Sequence, residues 1–248
     1  MARSIELEQV SVTTLQGKRV VAGVDLRIAP GERVSLIGAS GAGKTTLLRL
    51  INGLVVPSSG DVRIDGASVR QLDGPKLRRG LGYIIQGAGL FPHRSVFENV
   101  AVVPRLLGWE ESRVQVAIES ILNEVNLPFA DYASRFPRTL SGGEQQRVGV
   151  ARALVAEPDV LLCDEPFSAL DPIARREHQK LFLDLAAKGK PTVVFVTHDL
   201  REALAVSGRI VLLDRGRVVI DLASHEFLTH SDPLVQRFVE SATLAVAS

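Results

Sequence analysis

A chain of 248 residues, 46% hydrophobic and 23% charged, has an ordinary globular composition and enough length to bury a sizeable core. Its formal charge of +1 gives no electrostatic case for a nucleic-acid partner. No apolar run approaches the ~18 residues that span a bilayer, and the charged start Met1-Ala2-Arg3-Ser4-Ile5-Glu6 lacks the apolar core of a secretion signal, so a cytosolic location is expected.

Residues 5–12 alternate apolar and polar side chains (Ile5, Leu7, then Val10 and Val12), and residues 19–28 do so again. Both read as half-buried strands of an antiparallel pair. After a turn at 29–32, the apolar run Val34-Ser35-Leu36-Ile37 opens onto Gly38-Ala39-Ser40-Gly41-Ala42-Gly43-Lys44-Thr45-Thr46, and Leu47-Leu48-Arg49-Leu50-Ile51 follows. Strand, glycine-rich turn and helix are the setting that a GxxxxGK[ST] phosphate loop requires. Gly38, Gly41 and Gly43 lack a Cβ, so the backbone can curl its N–H groups around phosphate oxygens. The helix from Lys44 adds the positive end of its dipole. Lys44 supplies a mobile cation for the β and γ phosphates, and the Thr45 hydroxyl a ligand for Mg²⁺. Asn52-Gly53 ends this helix; a loop at 57–60 and a short strand at 61–66 come next.

Residues 82–86 read as a buried strand ending in Gln86. From 87 to 137 the pattern is helical, with segments at 96–100 and 110–125 interrupted by Pro104 and Pro128, which makes this region a helical insert. Leu140-Ser141-Gly142-Gly143-Glu144-Gln145-Gln146-Arg147 leads into a helix at 144–156. Ser141 can cap a helix starting at Gly142 or Gly143, and the two glycines leave N–H groups open to an anion. The chain thus has two phosphate-binding helix starts. One nucleotide cannot occupy both if they lie on different subdomains, so the second is expected to serve a neighbouring subunit.

Val160-Leu161-Leu162-Cys163-Asp164-Glu165 is an apolar strand, read at 159–162, that ends in two carboxylates. Such a run suits a parallel strand buried on both faces, and acids at its carboxyl end face the crevice where α/β sheets bind ligands. Asp164 is the expected indirect partner of Mg²⁺, and Glu165 the group that orients or deprotonates a water. Cys163, the single cysteine, reads as a small buried core residue. A helix at 173–187, a strand at 192–196 and a helix at 200–206 continue the alternation, which indicates a largely parallel sheet with helices on its faces. A hairpin at 209–213 and 217–220, a closing helical stretch at 227–239 and a frayed tail from 242 end the chain.

Six motifs, in this order, resemble the nucleotide-binding subunit of an ABC transporter over nearly the whole chain. They are residues 38–45 as Walker A, Gln86 as Q-loop, 140–147 as signature, 160–165 as Walker B, Ser168-Ala169-Leu170-Asp171 as D-loop and His198 as switch histidine. The resemblance implies an α/β fold. Its P-loop NTPase (RecA-like) core has a largely parallel sheet, N-terminal antiparallel strands and a helical insert subdomain. It implies one ABC ATPase domain, with a nucleotide-binding core at 1–86 and 157–241, the helical subdomain at 87–156 and the tail at 242–248. Its cofactors are ATP and Mg²⁺.

The implied nucleotide contacts are Gly38, Ala39, Ser40, Gly41, Ala42, Gly43, Lys44, Thr45 and Thr46, with Leu15 beside the adenine, and Asp171. Ser141, Gly142 and Gly143 come from a second copy, or a homologous ATPase, in a head-to-tail dimer. Thr45, Gln86 and Asp164 are the implied metal residues, and Glu165, His198, Gln86 and Lys44 the catalytic ones. His198, after the apolar strand Val193-Val194-Phe195-Val196, can donate a hydrogen bond to the γ phosphate or the attacking water. Gln86 can reach Mg²⁺ or that water, or be a plain polar cap. His93, His178, His225 and His230 show no metal-ligand spacing and read as surface or packing residues.

One departure concerns the adenine. The family usually places an aromatic residue at the position held here by Leu15, and no aromatic precedes Tyr83. Aliphatic contact from Leu15 and Val20 would replace the stack, so weaker adenine binding and poor discrimination between ATP and GTP are expected.

Residues 82–109 and the run Asp164-Glu165-Pro166-Phe167-Ser168-Ala169-Leu170-Asp171-Pro172-Ile173 resemble importers of quaternary-amine osmoprotectants such as glycine betaine, choline and carnitine. Phe167 favours an importer branch. The solute is assigned by analogy, because the nucleotide subunit does not touch it. The resemblance implies transmembrane permease subunits as partners, a solute-binding protein indirectly, and a place on the cytoplasmic face of the cell membrane. A regulatory domain, which some relatives add after the core, is not expected in a chain that stops at 248. The apolar clusters Leu90-Phe91-Pro92 and Leu106-Leu107-Gly108-Trp109 read as the permease contact or as the insert's own small core. Alternatives are an importer ATPase for another small solute and a soluble, non-transport ABC ATPase. A P-loop kinase would share residues 38–45 but has no need of 140–147.

Overall fold

Period-two burial along Ile5–Thr13, with Ile5, Leu7, Val10 and Val12 inside, follows from side chains alternating across a pleated strand. The strand pairs antiparallel with Arg19–Ile28 on one side and Ser59–Ile64 on the other. Ala67–Ser68 extends the edge, giving a four-stranded sheet. The expected N-terminal antiparallel pair is therefore present, and the short strand expected at 61–66 lies two residues earlier, at Ser59–Ile64. The computed structural model describes residues 1–168 and 170–244. It divides into two compact units, one formed by Arg3–Gly74 with the chain from Thr192 onward, the other by Met1–Ala2 with Pro75–Pro191.

In the first unit, Arg33–Ile37 lies between Thr192–Val196 and Arg209–Asp214 and is parallel to both. Thr192–Val196 is buried at every position, as a parallel strand covered on both faces must be. Arg217–Ala223 closes the edge antiparallel to Arg209–Asp214. Ile37, Leu200, Ile210, Leu212, Phe227 and Val235 share one core. The closing helical stretch expected at 227–239 is two helices, Ser224–Phe227 and Pro233–Leu244. Between them Asp232 N–H donates to His230 Nδ1 (3.2 Å) and Asp232 Oδ1 accepts from Leu234 N–H (2.7 Å). These local bonds, with Pro233 as first helical residue, restart the helix where apolar periodicity alone runs through. The last helix reaches Leu244, and the remainder of the expected tail, 245–248, lies outside the described residues, as does Ala169.

The second unit carries the parallel pair Leu81–Ile84 and Val160–Asp164 and the helices of the insert. Glu111–Glu124 buries Val114, Ile118 and Leu122, one face of a helix at four-residue spacing. Pro104, expected to interrupt, sits inside the short helix Val102–Leu106; in a first turn its missing N–H costs no hydrogen bond. Phe167 and Phe182 meet edge to face with centroids 6.1 Å apart. Cys163 is fully buried, as expected, and burial pushes its thiol well above the ordinary range. No helix among the described residues is long and apolar enough to cross a membrane.

Candidate functional site

The phosphate-loop sequence forms the strand, turn and helix it predicts. Val34 to Ile37 are buried, and the chain then turns through Gly38 (φ 151°) and Gly43 (φ 103°) into the helix Lys44–Ile51. Glycine is required at both positions. A Cβ on Gly38 would collide with the Leu213 carbonyl, and one on Gly43 would lie 2.8 Å from the Val20 carbonyl. Val20, one of the two aliphatic residues assigned to the adenine, is thus beside the loop. Leu15 is fully exposed in a turn closed by Thr14 N–H to Lys18 O (2.9 Å).

No side chain caps the helix Lys44–Ile51, so its first-turn amides keep their positive end for a ligand. Lys44 is 5% exposed, and its Nζ donates to the carbonyls of Gly38 (2.8 Å) and Ala39 (3.1 Å). A buried ammonium held on the loop's own carbonyls is a cation poised at the loop mouth. In the same unit His198 is exposed and its backbone is bracketed. The Thr197 hydroxyl accepts from Asp199 N–H (3.0 Å) and donates to the buried Glu202 carboxylate (2.5 Å), while Asp199 caps the helix Leu200–Val206 through Arg201 N–H (2.8 Å).

In the second unit Asp164 ends its strand, 7% exposed, and Glu165 follows in the left-handed region at φ 46°. A non-glycine residue there carries backbone strain of about 1–2 kcal/mol. The Glu165 carbonyl accepts from Ser168 N–H (3.3 Å) and Oγ–H (3.0 Å). Gln86 lies two residues past its strand, which ends at Ile84 rather than at Gln86 as read from the sequence. Its Nε2 is 3.5 Å from Glu165 Oε2, a long contact that brings two of the sequence-assigned residues together.

Ser141 caps the helix Gly142–Leu154 in a reciprocal box: Glu144 N–H donates to Ser141 Oγ (3.3 Å) and Ser141 N–H to Glu144 Oε2 (2.7 Å). Tyr132 Oη–H donates to Glu144 Oε1 (2.6 Å). That bond, with those from Ser141, holds the Glu144 carboxyl below the usual carboxylate range. Asp171 caps Pro172–Gly189, accepting from Ile173 and Ala174 N–H at 3.0 Å each, and these amides, Ala174 first, lower its carboxyl. Ser141, Gly142, Gly143 and Asp171 line one open cleft of about 550 Å³, with Arg147 and His178. A better enclosed cavity of about 300 Å³, walled by Ile121, Leu154 and Leu185 under the Glu124–Lys188 ion pair (2.8 Å), holds none of the assigned residues, and the chemistry favours the open cleft.

Sequence reasoning missed Tyr132 and gave its partner Glu144 no role beyond a place in residues 140–147. It also missed two pins on the loop after Gln86. Arg152 donates to the carbonyls of Ala88 and Gly89 at 2.9 Å each, and buried Asn99 donates to those of Phe91 (3.2 Å), Arg94 (3.0 Å) and Ser95 (3.0 Å). Neither carries a local sequence signal.

A loop whose Gly38 and Gly43 leave no room for a Cβ, a buried lysine and an uncapped helix start suit a polyphosphate. Thr45 in the first unit, and Asp164 and Gln86 in the second, each carry a side-chain oxygen of the kind a hard divalent cation takes. Among the described residues no cluster of three or more His, Cys, Asp or Glu could hold a metal by itself.

These features define an ATP-binding cassette, and the comparisons with known proteins agree. The ABC transporter family model matches residues 21–168; the chain belongs to that family. It is 44% identical over 236 residues, 95% of this chain and 62% of the relative, to the glycine betaine/carnitine/choline transport ATP-binding protein OpuCA of Bacillus subtilis. It is 44% identical over 228 residues, 90% of this chain and 60% of the relative, to the osmoprotectant import ATP-binding protein OsmV of Salmonella typhimurium. The ATP-binding cassette MJ0796, solved as a dimer in a post-hydrolysis state bound to ADP and Pi, has a TM-score of 0.80 at 33% identity over 89% of this chain and 98% of its own. The chain spans about three fifths of the length of these two curated relatives.

Proposed function

We propose that this chain binds and hydrolyses ATP to drive a membrane importer of quaternary-amine osmoprotectants, as the subunit on the cytoplasmic face of the membrane. The observation that carries the reading is the loop built on Gly38, Gly43 and buried Lys44; the names of the curated relatives supply the solute class. Residues 1–86 and 157–241 serve as nucleotide-binding core and 87–156 as helical subdomain.

The amides of residues 38–46 bind the triphosphate and Lys44 neutralises its β and γ oxygens. Leu15 and Val20 supply aliphatic contact to the base. Thr45, Asp164 and Gln86 would hold Mg²⁺, which would supply charge neutralisation on the phosphates. Glu165 orients or deprotonates the attacking water, Gln86 shares in placing it, and His198 donates a hydrogen bond to the charge that develops on the transferred group. The open cleft of Ser141, Gly142, Gly143 and Asp171 is the half-site offered to the nucleotide of a second copy or a homologous ATPase, and the dimeric MJ0796 cassette supports that arrangement.

Phe91 at 40% exposure, Leu106 at 52% and Leu107 at 42% give the insert an apolar surface suited to a transmembrane permease, which receives solute from a binding protein. The test is uptake of labelled glycine betaine by cells expressing the chain with the permease encoded beside it. Lys44→Ala abolishes uptake and ATP hydrolysis, and Phe91→Glu abolishes copurification with the permease while the chain stays folded. Hydrolysis without uptake of any quaternary amine overturns the solute, and unfolding of Phe91→Glu overturns the docking surface.

A further inference from the structure

Helix Pro172–Gly189 buries His178, Phe182, Leu185 and Ala186, the i, i+4, i+7, i+8 stripe of an apolar face. A hydrocarbon would fill the first of these positions; an imidazole there must find a hydrogen-bond partner. His178 is 3% exposed, and its Nε2 accepts from Arg147 Nε at 3.3 Å. That bond needs the neutral ring, because a protonated imidazole has no acceptor. The same nitrogen lies 3.5 Å from where a Cβ on Gly143 would sit, so the ring packs under the second residue of the helix Gly142–Leu154.

The charged groups around His178 are Arg147 from that helix, and Glu177 and Asp171 from its own helix and cap; Glu144 stands on the rim of the same cleft. Arg147 Nη2 is also 3.7 Å from Glu177 Oε2, which gives the guanidinium somewhere to go when the ring gains a charge.

We propose that His178 is a positioning residue for the signature helix. Neutral, it seats Gly143 and anchors Arg147, so that the amides of Gly142 and Gly143 meet a partner's nucleotide; protonated, it expels Arg147 and unseats that helix start. The inference rests on the reading of residues 140–147 as the trans half of a composite site. Burial first, and Arg147 second, hold the His178 ring below its ordinary pKa, so it is neutral at pH 7 and gains its proton only below the ordinary imidazole range.

The experiment follows the Gly143 amide and the His178 ring by NMR between pH 7.5 and 5 in the full chain, then measures the ATP-dependent dimer in a Glu165→Gln background over the same range. In the native sequence the Gly143 resonance titrates with the His178 ring. The dimer weakens about tenfold in acid, within the 5–150-fold span of ordinary site coupling. His178→Gln, which keeps an acceptor for Arg147 but cannot titrate, holds the Gly143 resonance and the dimer constant across that range. His178→Leu weakens the dimer at every pH, with ATP binding by the monomer unchanged. A Gly143 amide indifferent to His178, or an acid limb that persists in His178→Gln, overturns the positioning role. A Gly143 amide that follows His178 in a chain that forms no ATP-dependent dimer at any pH supports the positioning role and overturns the composite site.

Discussion

Tyr132 Oη is 2.6 Å from Glu144 Oε1, and the other oxygen of that carboxylate closes the cap on Ser141. A residue of the helical insert therefore holds the start of the signature helix from outside. Glu144 has a lowered folded pKa, so its contribution to stability is complete above the ordinary carboxylate value and is lost as pH falls through the folded one. Tyr132→Phe removes the largest cause of that shift. The expected outcome is acid unfolding that begins at higher pH, with stability at pH 7 reduced, read by circular dichroism. Ser141→Ala costs about 1 kcal/mol, the typical value of an N-cap. An acid limb unchanged in Tyr132→Phe would show that the bond does not tune Glu144.

Glu165 pairs a catalytic assignment with a left-handed backbone, φ 46°. Glycine adopts that region freely, whereas alanine keeps the strained Cβ. Glu165→Gly and Glu165→Ala both abolish hydrolysis, and the glycine variant is the more stable by ~1 kcal/mol, a few degrees in melting temperature for a chain of this size. Equal melting temperatures would mean the strain is relieved elsewhere.

Much of this was legible in the sequence because the relevant signals are local. The phosphate loop needs glycine at Gly38 and Gly43 for steric reasons, and the Ser141 cap has its acid three residues on. Val193-Val194-Phe195-Val196 is a continuous run of β-branched and aromatic residues, the pattern of a strand buried on both faces. What escaped depends on distant parts of the chain. Nothing near His178 says that its ring lies under Gly143, since that depends on two helices 31 positions apart in the hydrogen bond between them. Gln86 reads as a strand end because Ile85 continues the apolar pattern one residue past Ile84, the last paired residue. The break at His230 to Pro233 was written in turn chemistry, and apolar periodicity masked it.

Leu15 tests the adenine contact. It sits fully exposed in its turn, so a larger side chain meets no packing obstacle there. A stacking aromatic contributes ~1–3 kcal/mol per base in single-strand binding. Leu15→Tyr is expected to tighten ATP by a factor within that range, while Leu15→Ala leaves it unchanged or weaker. The native chain should separate ATP from GTP poorly. Fluorescent-nucleotide titration decides; comparable gains from tyrosine and alanine would remove Leu15 from the base site.

The Thr197 hydroxyl bridges Asp199 N–H and the Glu202 carboxylate across the residue assigned to the γ phosphate, His198. Thr197→Val preserves shape but removes both bonds, one of them to a buried charged group, and costs ~1–3 kcal/mol of stability. Its kinetic effect separates positioning from packing. If the bridge aims His198, kcat for ATP hydrolysis falls with little change in KM, because the lost interaction is one made to the transition state. Thr197→Ser, which retains the hydroxyl, restores kcat. A Thr197→Val chain that loses stability but keeps full kcat would show that the bridge supports the helix Leu200–Val206 alone and that His198 finds its place without it.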